Sequence, residues 1–370
     1  MRRSRGLVGP SCTGTAALLI VLLCGTLVLS PTACYLGRGA WEEAKILSRR
    51  EKISDILSDK SGASVDPITR AKLEVVTDAR EYARDSIGLK VKDSFTAYSR
   101  LDHDTLVLVL SAAYRDRLAP YTWWFPIVGR VPYKGYFDFA AARRDADGLE
   151  EDGYDTYLRP SDAFSTLGFF NDPLLSTTLR ADTFQLANTV IHELTHNTFY
   201  ASGQVAFNES FASFVGARGA AAFFRSRHQD AAAARVDAEW DDDRLLGAFW
   251  TRLSTSLDSA FARYPNDKAA RLAARDSVYR AARQLLVDSV AVQFKTIPPA
   301  YAERVKLDNA SLLARRVYAS HLDLFDAVWL RERRNVRATV AVVIAAAKHM
   351  PDNPFGAVQM WLANHPLVAE

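Results

Sequence analysis

Thr183-Phe184-Gln185-Leu186-Ala187-Asn188-Thr189-Val190-Ile191-His192-Glu193-Leu194-Thr195-His196-Asn197-Thr198 carries apolar side chains at Ala187, Val190, Ile191 and Leu194, with Thr198 a turn further on. This three-to-four spacing predicts a helix from Thr183 to Ser202, buried along one stripe, with Gly203 in the left-handed position that closes it. A second helix is expected from about Ala206 to Phe224. The residues between them, around Gly203, suit a short antiparallel hairpin.

C-terminal to the hairpin, residues 225–300 are rich in Ala, Arg and Asp, with apolar residues at helical spacing and hardly any strand signal. They read as a helical lobe, interrupted by Ile297-Pro298-Pro299 and resumed through Ala310–Ala319 and Arg337–Lys348. N-terminal to the hairpin, Asp66-Pro67 starts a helix that runs to Gly88. The texture then turns to strand at Ser94–Tyr98, Thr105–Leu110 and Arg130–Phe137. A helix over Phe139–Asp152 is closed by Gly153; Tyr154–Leu158 and Ala163–Leu167 read as extended. The expected fold class is α+β, mainly α-helical. A small β-sheet, of about three to five strands, packs on the hairpin's first helix, and a C-terminal helical lobe closes a cleft.

The chain has 370 residues, 49% apolar and 24% charged, enough to bury a sizeable core. Its 46 Lys and Arg face 43 Asp and Glu. Arg2, Arg3 and Arg5 precede an apolar run from Ala16 to Leu29 and small residues before Cys34, the pattern of an export signal over residues 1–33. Without those three arginines the charges balance, so the surplus of cations that a nucleic-acid binder needs is missing. Ser30-Pro31-Thr32-Ala33-Cys34 looks like a lipobox, departing from it at Pro31, and makes Cys34 a candidate lipidated N-terminus. Membrane attachment through the signal or a lipid, on the exported side of a bacterial envelope, is the expectation. Residues 34–370 then form a single domain, with the sheet and hairpin over about 91–224 and the lobe over about 225–370. Cys12 and Cys24 fall inside the signal, leaving a mature domain without a disulfide or a cysteine-held zinc.

His192-Glu193-Leu194-Thr195-His196 is an HExxH motif, and on a helix its two histidines lie one turn apart on one face, able to reach one ion. Zinc suits neutral imidazole, and Glu193 stands where it can take a proton from water activated by the metal. A catalytic zinc needs a third protein ligand. Phe199 and Ser202 occupy the places of the Gly and His that continue a metzincin motif, and the inverted HxxEH form is absent. Glu209 is the candidate: with Ala212, Ser213, Gly216 and Ala220 it forms a face of small residues that lets two helices approach closely. Ser213 and Asn188 are candidates to hydrogen-bond a ligating histidine. Tyr318 is the candidate donor to a developing oxyanion.

Three further stretches accompany the motif: Val131-Pro132-Tyr133-Lys134-Gly135-Tyr136-Phe137-Asp138, Ala163-Phe164-Ser165-Thr166-Leu167-Gly168-Phe169-Phe170-Asn171-Asp172-Pro173-Leu174, and Asn208-Glu209. Together they resemble the bacterial "putative aminopeptidase" family, often lipoproteins, within the gluzincin-like HExxH metallopeptidases, over nearly all of the mature chain. The resemblance implies a zinc peptidase with one ion held by His192, His196 and Glu209, Glu193 as general base and a peptide or protein as substrate. The G-x-M-E-N type of motif with which better-known gluzincin aminopeptidases bind a free amino group is absent. Ala163–Phe170 is placed like the edge strand that pairs with an extended substrate.

Two other functions fit the same residues: a non-catalytic envelope scaffold in which zinc joins two helices, and a zinc hydrolase of a non-peptide amide. In the plainest reading the histidines are surface residues and Glu209 is an acid favoured by a helix N-terminus. Structural zinc is normally closed by four protein ligands, and only three are found, which favours an open, catalytic site.

Overall fold

In a computed structural model of the protein the described residues are 46–60, 65–101, 107–125, 129–161 and 173–366. The export signal, Cys34 and the Ala163–Phe170 strand lie outside them. The chain divides into two units, Met1–Ser48 and Arg49–Glu370, and every element named below belongs to the second. Among the described residues no helix is long and apolar enough to cross a membrane.

Strand β1 (Glu51–Lys52) runs into a short helix, α1 (Ile53–Leu57). Asp66 then starts α2 (Pro67–Tyr82) by accepting from the amides of Ile68 and Thr69 at 3.0 and 2.9 Å, with Pro67 in the first turn, where an amide would have no partner. Leu73, Val76 and Ala79 are fully buried on its inner face. The chain leaves this helix at Gly88, whose φ of 85° is one that glycine adopts without strain.

The strands that follow are β2 (Ala97–Ser99), β3 (Val107–Tyr114), β4 (Trp123–Phe125), β5 (Gly129–Val131) and β6 (Tyr133–Tyr136). Helix α3 (Phe139–Glu151), β7 (Tyr154–Ser161) and β8 (Leu174–Leu175) complete the N-terminal part. The strands divide into three small sheets where one was expected. β2 pairs antiparallel with β1 and parallel with β8, and its Tyr98, with Leu174, shares a core with Leu186, Val190 and Ile191 of the HExxH helix. β3 pairs antiparallel with β6 and, from Val107↔Ser161 to Tyr114↔Tyr154, with β7. Leu110 and Tyr136 of that sheet pack instead on Ala142 and Ala146 of α3, a separate core. The first two sheets thus serve different cores. β4 and β5 form a hairpin whose Trp124 is 64% exposed, so only part of the aromatic Trp123–Phe125 run packs inward.

The helical part comprises α4 (Thr183–Thr198), α5 (Val205–Ser226), α6 (Asp230–Ala262), α7 (Lys268–Leu285), α8 (Ala300–Arg304), α9 (Asn309–Arg316), α10 (Leu322–Arg331), α11 (Val336–His349) and α12 (Pro354–Asn364). The fold is therefore α+β and mainly helical, with the C-terminal helical lobe present. α4 packs between α2 and α5, and α5 packs onward against α6. Phe207, Phe211 and Phe214 of α5 gather around Phe325 of α10, with ring centroids 5.5–5.8 Å apart. Buried Arg218 joins three helices: its Nε and Nη2 reach Asp326 at 2.9 Å each, and its Nη1 reaches Asp237 at 2.7 Å. The lobe has its own core of Phe249, Trp250, Leu253, Leu257 and Leu286.

Candidate metal centre

Asp182 starts α4 by accepting from the amides of Phe184 and Gln185. The helix ends at Thr198, a turn short of the expected Ser202. Two contacts account for the early end. The Thr198 hydroxyl donates to the Leu194 carbonyl and accepts from the Lys90 amide at 2.9 Å. Buried Asn208 then holds the Ala201 backbone from both sides, accepting from its amide and donating to its carbonyl at 2.8 Å each. Gly203 takes a φ of 74° in the connection itself. Asn208 thereby fixes the tight turn between the helices and, through it, the height at which Glu209 begins to face α4.

At that height the His192 and His196 Nε2 atoms are 3.2 Å apart. Glu209 Oε2 lies 3.3 Å from His192 Nε2, and Glu209 Oε1 lies 3.6 Å from His196 Nε2. Among the described residues this is the one group of His, Cys, Asp or Glu whose ligand atoms converge, all within 4.8 Å. Burial opposes charge on Glu209, but hydrogen bonds from both imidazoles outweigh it and hold the carboxyl at about 2. Burial likewise lowers His196, and the Glu209 carboxylate more than reverses the effect, so the imidazole titrates above its usual range. Two imidazole nitrogens and a carboxylate aimed at one point form a donor set that fits a borderline divalent ion such as zinc, with a coordination position left over.

The approach of α5 to α4 rests on a glycine. A β-carbon on Gly216 would fall 2.3 Å from Asn188 Oδ1, 2.9 Å from the Asn188 carbonyl oxygen and 3.2 Å from His192 Cβ. Ala212 and Ala220, on the same face as Glu209, are fully buried. Asn188 thus packs against Gly216, and among the described residues neither it nor Ser213 hydrogen-bonds a site histidine. The expectation that one of them would do so is corrected: helix packing turns the Asn188 amide toward α5, and His196 Nδ1 is buried without a partner.

Glu193 is exposed, and its carboxylate makes no hydrogen bond or ion pair among the described residues. Tyr318 follows α9 in a loop pinned to α5, where Ser210 Oγ accepts from the Ser320 amide at 3.0 Å and donates to the Val317 carbonyl at 3.4 Å. Tyr318 is 42% exposed, yet partial burial pushes its phenol above its usual range, the charges of Glu209 and Glu193 push the same way, and Arg159 opposes them. Tyr318 and Ser213 line a cavity of about 290 Å³ that also takes in Arg159, Trp240, Asp243 and Arg315. The pinning roles of Asn208 and Ser210 were missed in the sequence because a buried amide or hydroxyl has no spacing signature. Asp243 had a signal, its helical spacing with the apolar Trp240, Leu246 and Trp250.

No curated protein and no solved structure matches the chain. Residues 34–353 match the family described as "putative aminopeptidase", and the chain belongs to that family, whose description is that of a peptidase.

Proposed function

We propose that the protein is a zinc-dependent peptidase, with one ion held by His192, His196 and Glu209. The observation that carries this reading is the convergence of those three ligand atoms within 4.8 Å of one another. When bound, zinc supplies a Lewis acid that makes water nucleophilic near neutral pH and polarises a carbonyl. Glu193, with no competing partner among the described residues, takes a proton from the attacking water and delivers it to the departing nitrogen. Tyr318, a phenol that is protonated at neutral pH as tyrosine ordinarily is, donates a hydrogen bond to the carbonyl oxygen as negative charge develops there. The export pattern and Cys34 support action at the cell envelope, with the enzyme held at the membrane through that residue.

The test is cleavage of a diverse peptide mixture followed by mass spectrometry, with chain from Tyr35 onward and Glu193→Gln as control. Cleavage by the wild type that disappears in a zinc-loaded Glu193→Gln protein supports the reading. Persistent cleavage in that variant, or none by a zinc-loaded wild type, overturns it.

A further inference from the structure

Three successive acids on α6 meet three different fates. Asp241 pairs with Lys295 Nζ at 2.6 Å. Asp242, fully buried, accepts from the amides of Lys295, Thr296 and Ile297 at 2.8, 2.7 and 3.0 Å and from the Thr296 hydroxyl at 2.8 Å. Asp243 makes no hydrogen bond or ion pair among the described residues.

Its position makes that isolation notable. Trp240, Asp243, Leu246 and Trp250 lie at helical spacing on one face of α6, and all four line the same cavity. Asp243 is solvent-exposed and lines the cavity, so a ligand can reach it. The surrounding protein, with the charges of Glu239 and Asp242, pushes the carboxyl up to about 7.

Among the described residues neither of the cavity's guanidinium groups forms an ion pair with Asp243. Arg315 donates to the hydroxyls of Tyr301 and Tyr157 at 3.0 and 3.2 Å and lies over the rings of Tyr157 and Trp250. Arg159 bears on the Tyr318 phenol. Asp243 is left facing a space walled by Trp240, Trp250 and Tyr301, and a carboxylate among aromatic faces is the chemistry that holds an ammonium or guanidinium group. Ser213, one turn beyond Glu209 on the same face of α5, and Tyr318 place this space beside the three candidate ligands.

We propose that the cavity is a substrate subsite in which Asp243 binds an organic cation of the peptide, either its α-ammonium group or a lysine or arginine side chain. This rests on the peptidase reading above. It would supply, from a different element, the amine recognition for which the sequence has no G-x-M-E-N motif.

The experiment measures binding of three matched amides to the zinc-loaded protein by calorimetry. Norleucinamide offers only an α-ammonium, Nα-acetyl-lysinamide only a side-chain ammonium, and Nα-acetyl-norleucinamide no charge. We expect the wild type to bind one of the cations about tenfold more tightly than the neutral amide, as a charged hydrogen bond implies, and Asp243→Asn to bring that ratio towards one. Which cation is preferred identifies the group. Equal binding of all three by the wild type, a result that depends on no variant folding, overturns the proposal, as does a preference that survives in both Asp243→Asn and Asp243→Ser. Peptide cleavage measured on the same samples separates the two claims. Cation preference without cleavage sinks the peptidase reading alone, and cleavage without preference sinks the role of Asp243 alone.

Discussion

Gly216 of α5 lies so close to Asn188 of α4 that a β-carbon would sit 2.3 Å from the Asn188 side-chain oxygen and 2.9 Å from its carbonyl oxygen. The carbonyl cannot move without disturbing the helix that carries His192, so this contact sets the distance from which Glu209 addresses both histidines.

Gly216→Ala is therefore expected to destabilise the protein by about 1–3 kcal/mol, the range for overpacking a tight core. It should also weaken zinc binding, as α5 is driven away from α4. Gly148→Ala is the matched control. Gly148 is exposed within α3 with nothing near its missing β-carbon, and there alanine should stabilise by about 0.5–1 kcal/mol. Denaturant unfolding and competitive zinc titration of both variants check the pair. Equal and opposite behaviour of stability and metal affinity at position 216 would argue against a packing role.

Removing the Asn208 side chain leaves the amide of Ala201, itself only 6% exposed, without its partner, while the Ala201 carbonyl keeps the Gln204 amide at 3.1 Å. Asn208→Ala should cost about 1–3 kcal/mol for the amide left unsatisfied. Asn208→Asp, which keeps an acceptor for the Ala201 amide but loses the donor to its carbonyl, should fall between that and the wild type in chemical denaturation.

Tyr318→Phe keeps the ring and deletes the hydroxyl. If the phenol meets the developing oxyanion, kcat should fall about 10²-fold while KM changes little, because the interaction strengthens only in the transition state. A rise in KM at constant kcat would assign Tyr318 to ground-state binding. Steady-state kinetics on any peptide found in the cleavage screen distinguish these outcomes.

Burial alone would raise the Asp242 carboxyl, but the amides of Lys295, Thr296 and Ile297 and the Thr296 hydroxyl outweigh it and hold it below its usual 3.8. The folded protein thus binds this proton less readily than the unfolded chain. The stabilisation is complete above about pH 4, near the ordinary aspartate value, and is lost as pH falls through the lowered folded value. Asp242→Asn should lower the melting temperature at neutral pH and flatten its decline on acidification. Thermal melts between about pH 2 and 7 test this; a variant with an unchanged acid limb would contradict it.

Much of the hairpin could be read residue by residue, because the signals are local. Asp66-Pro67 and Asp182 start helices through hydrogen bonds to amides two and three residues ahead. His192 and His196 share a face on any helix that contains them. The early end at Thr198 was hidden, since it depends on Lys90 and Asn208, which are distant or not helical partners. The separation into three sheets was hidden as well: strand pattern records which side chains turn inward, and not which of two cores they enter.

The one-turn spacing of the histidines, the small face behind Glu209 and the spacing of Asp243 with Trp240, Leu246 and Trp250 were all present in the order of residues, because helical periodicity is an intrinsic property of the chain. Whether Glu209 reaches the two imidazoles, whether Tyr318 comes within electrostatic range of Glu193, and what Asp243 faces were decided only when helices remote in sequence packed together. Those relations span 17 residues from His192 to Glu209, and 125 from Glu193 to Tyr318. At such separations no local preference specifies a distance. Close packing does, through contacts such as Gly216 on Asn188 and Ser210 on the loop of Tyr318.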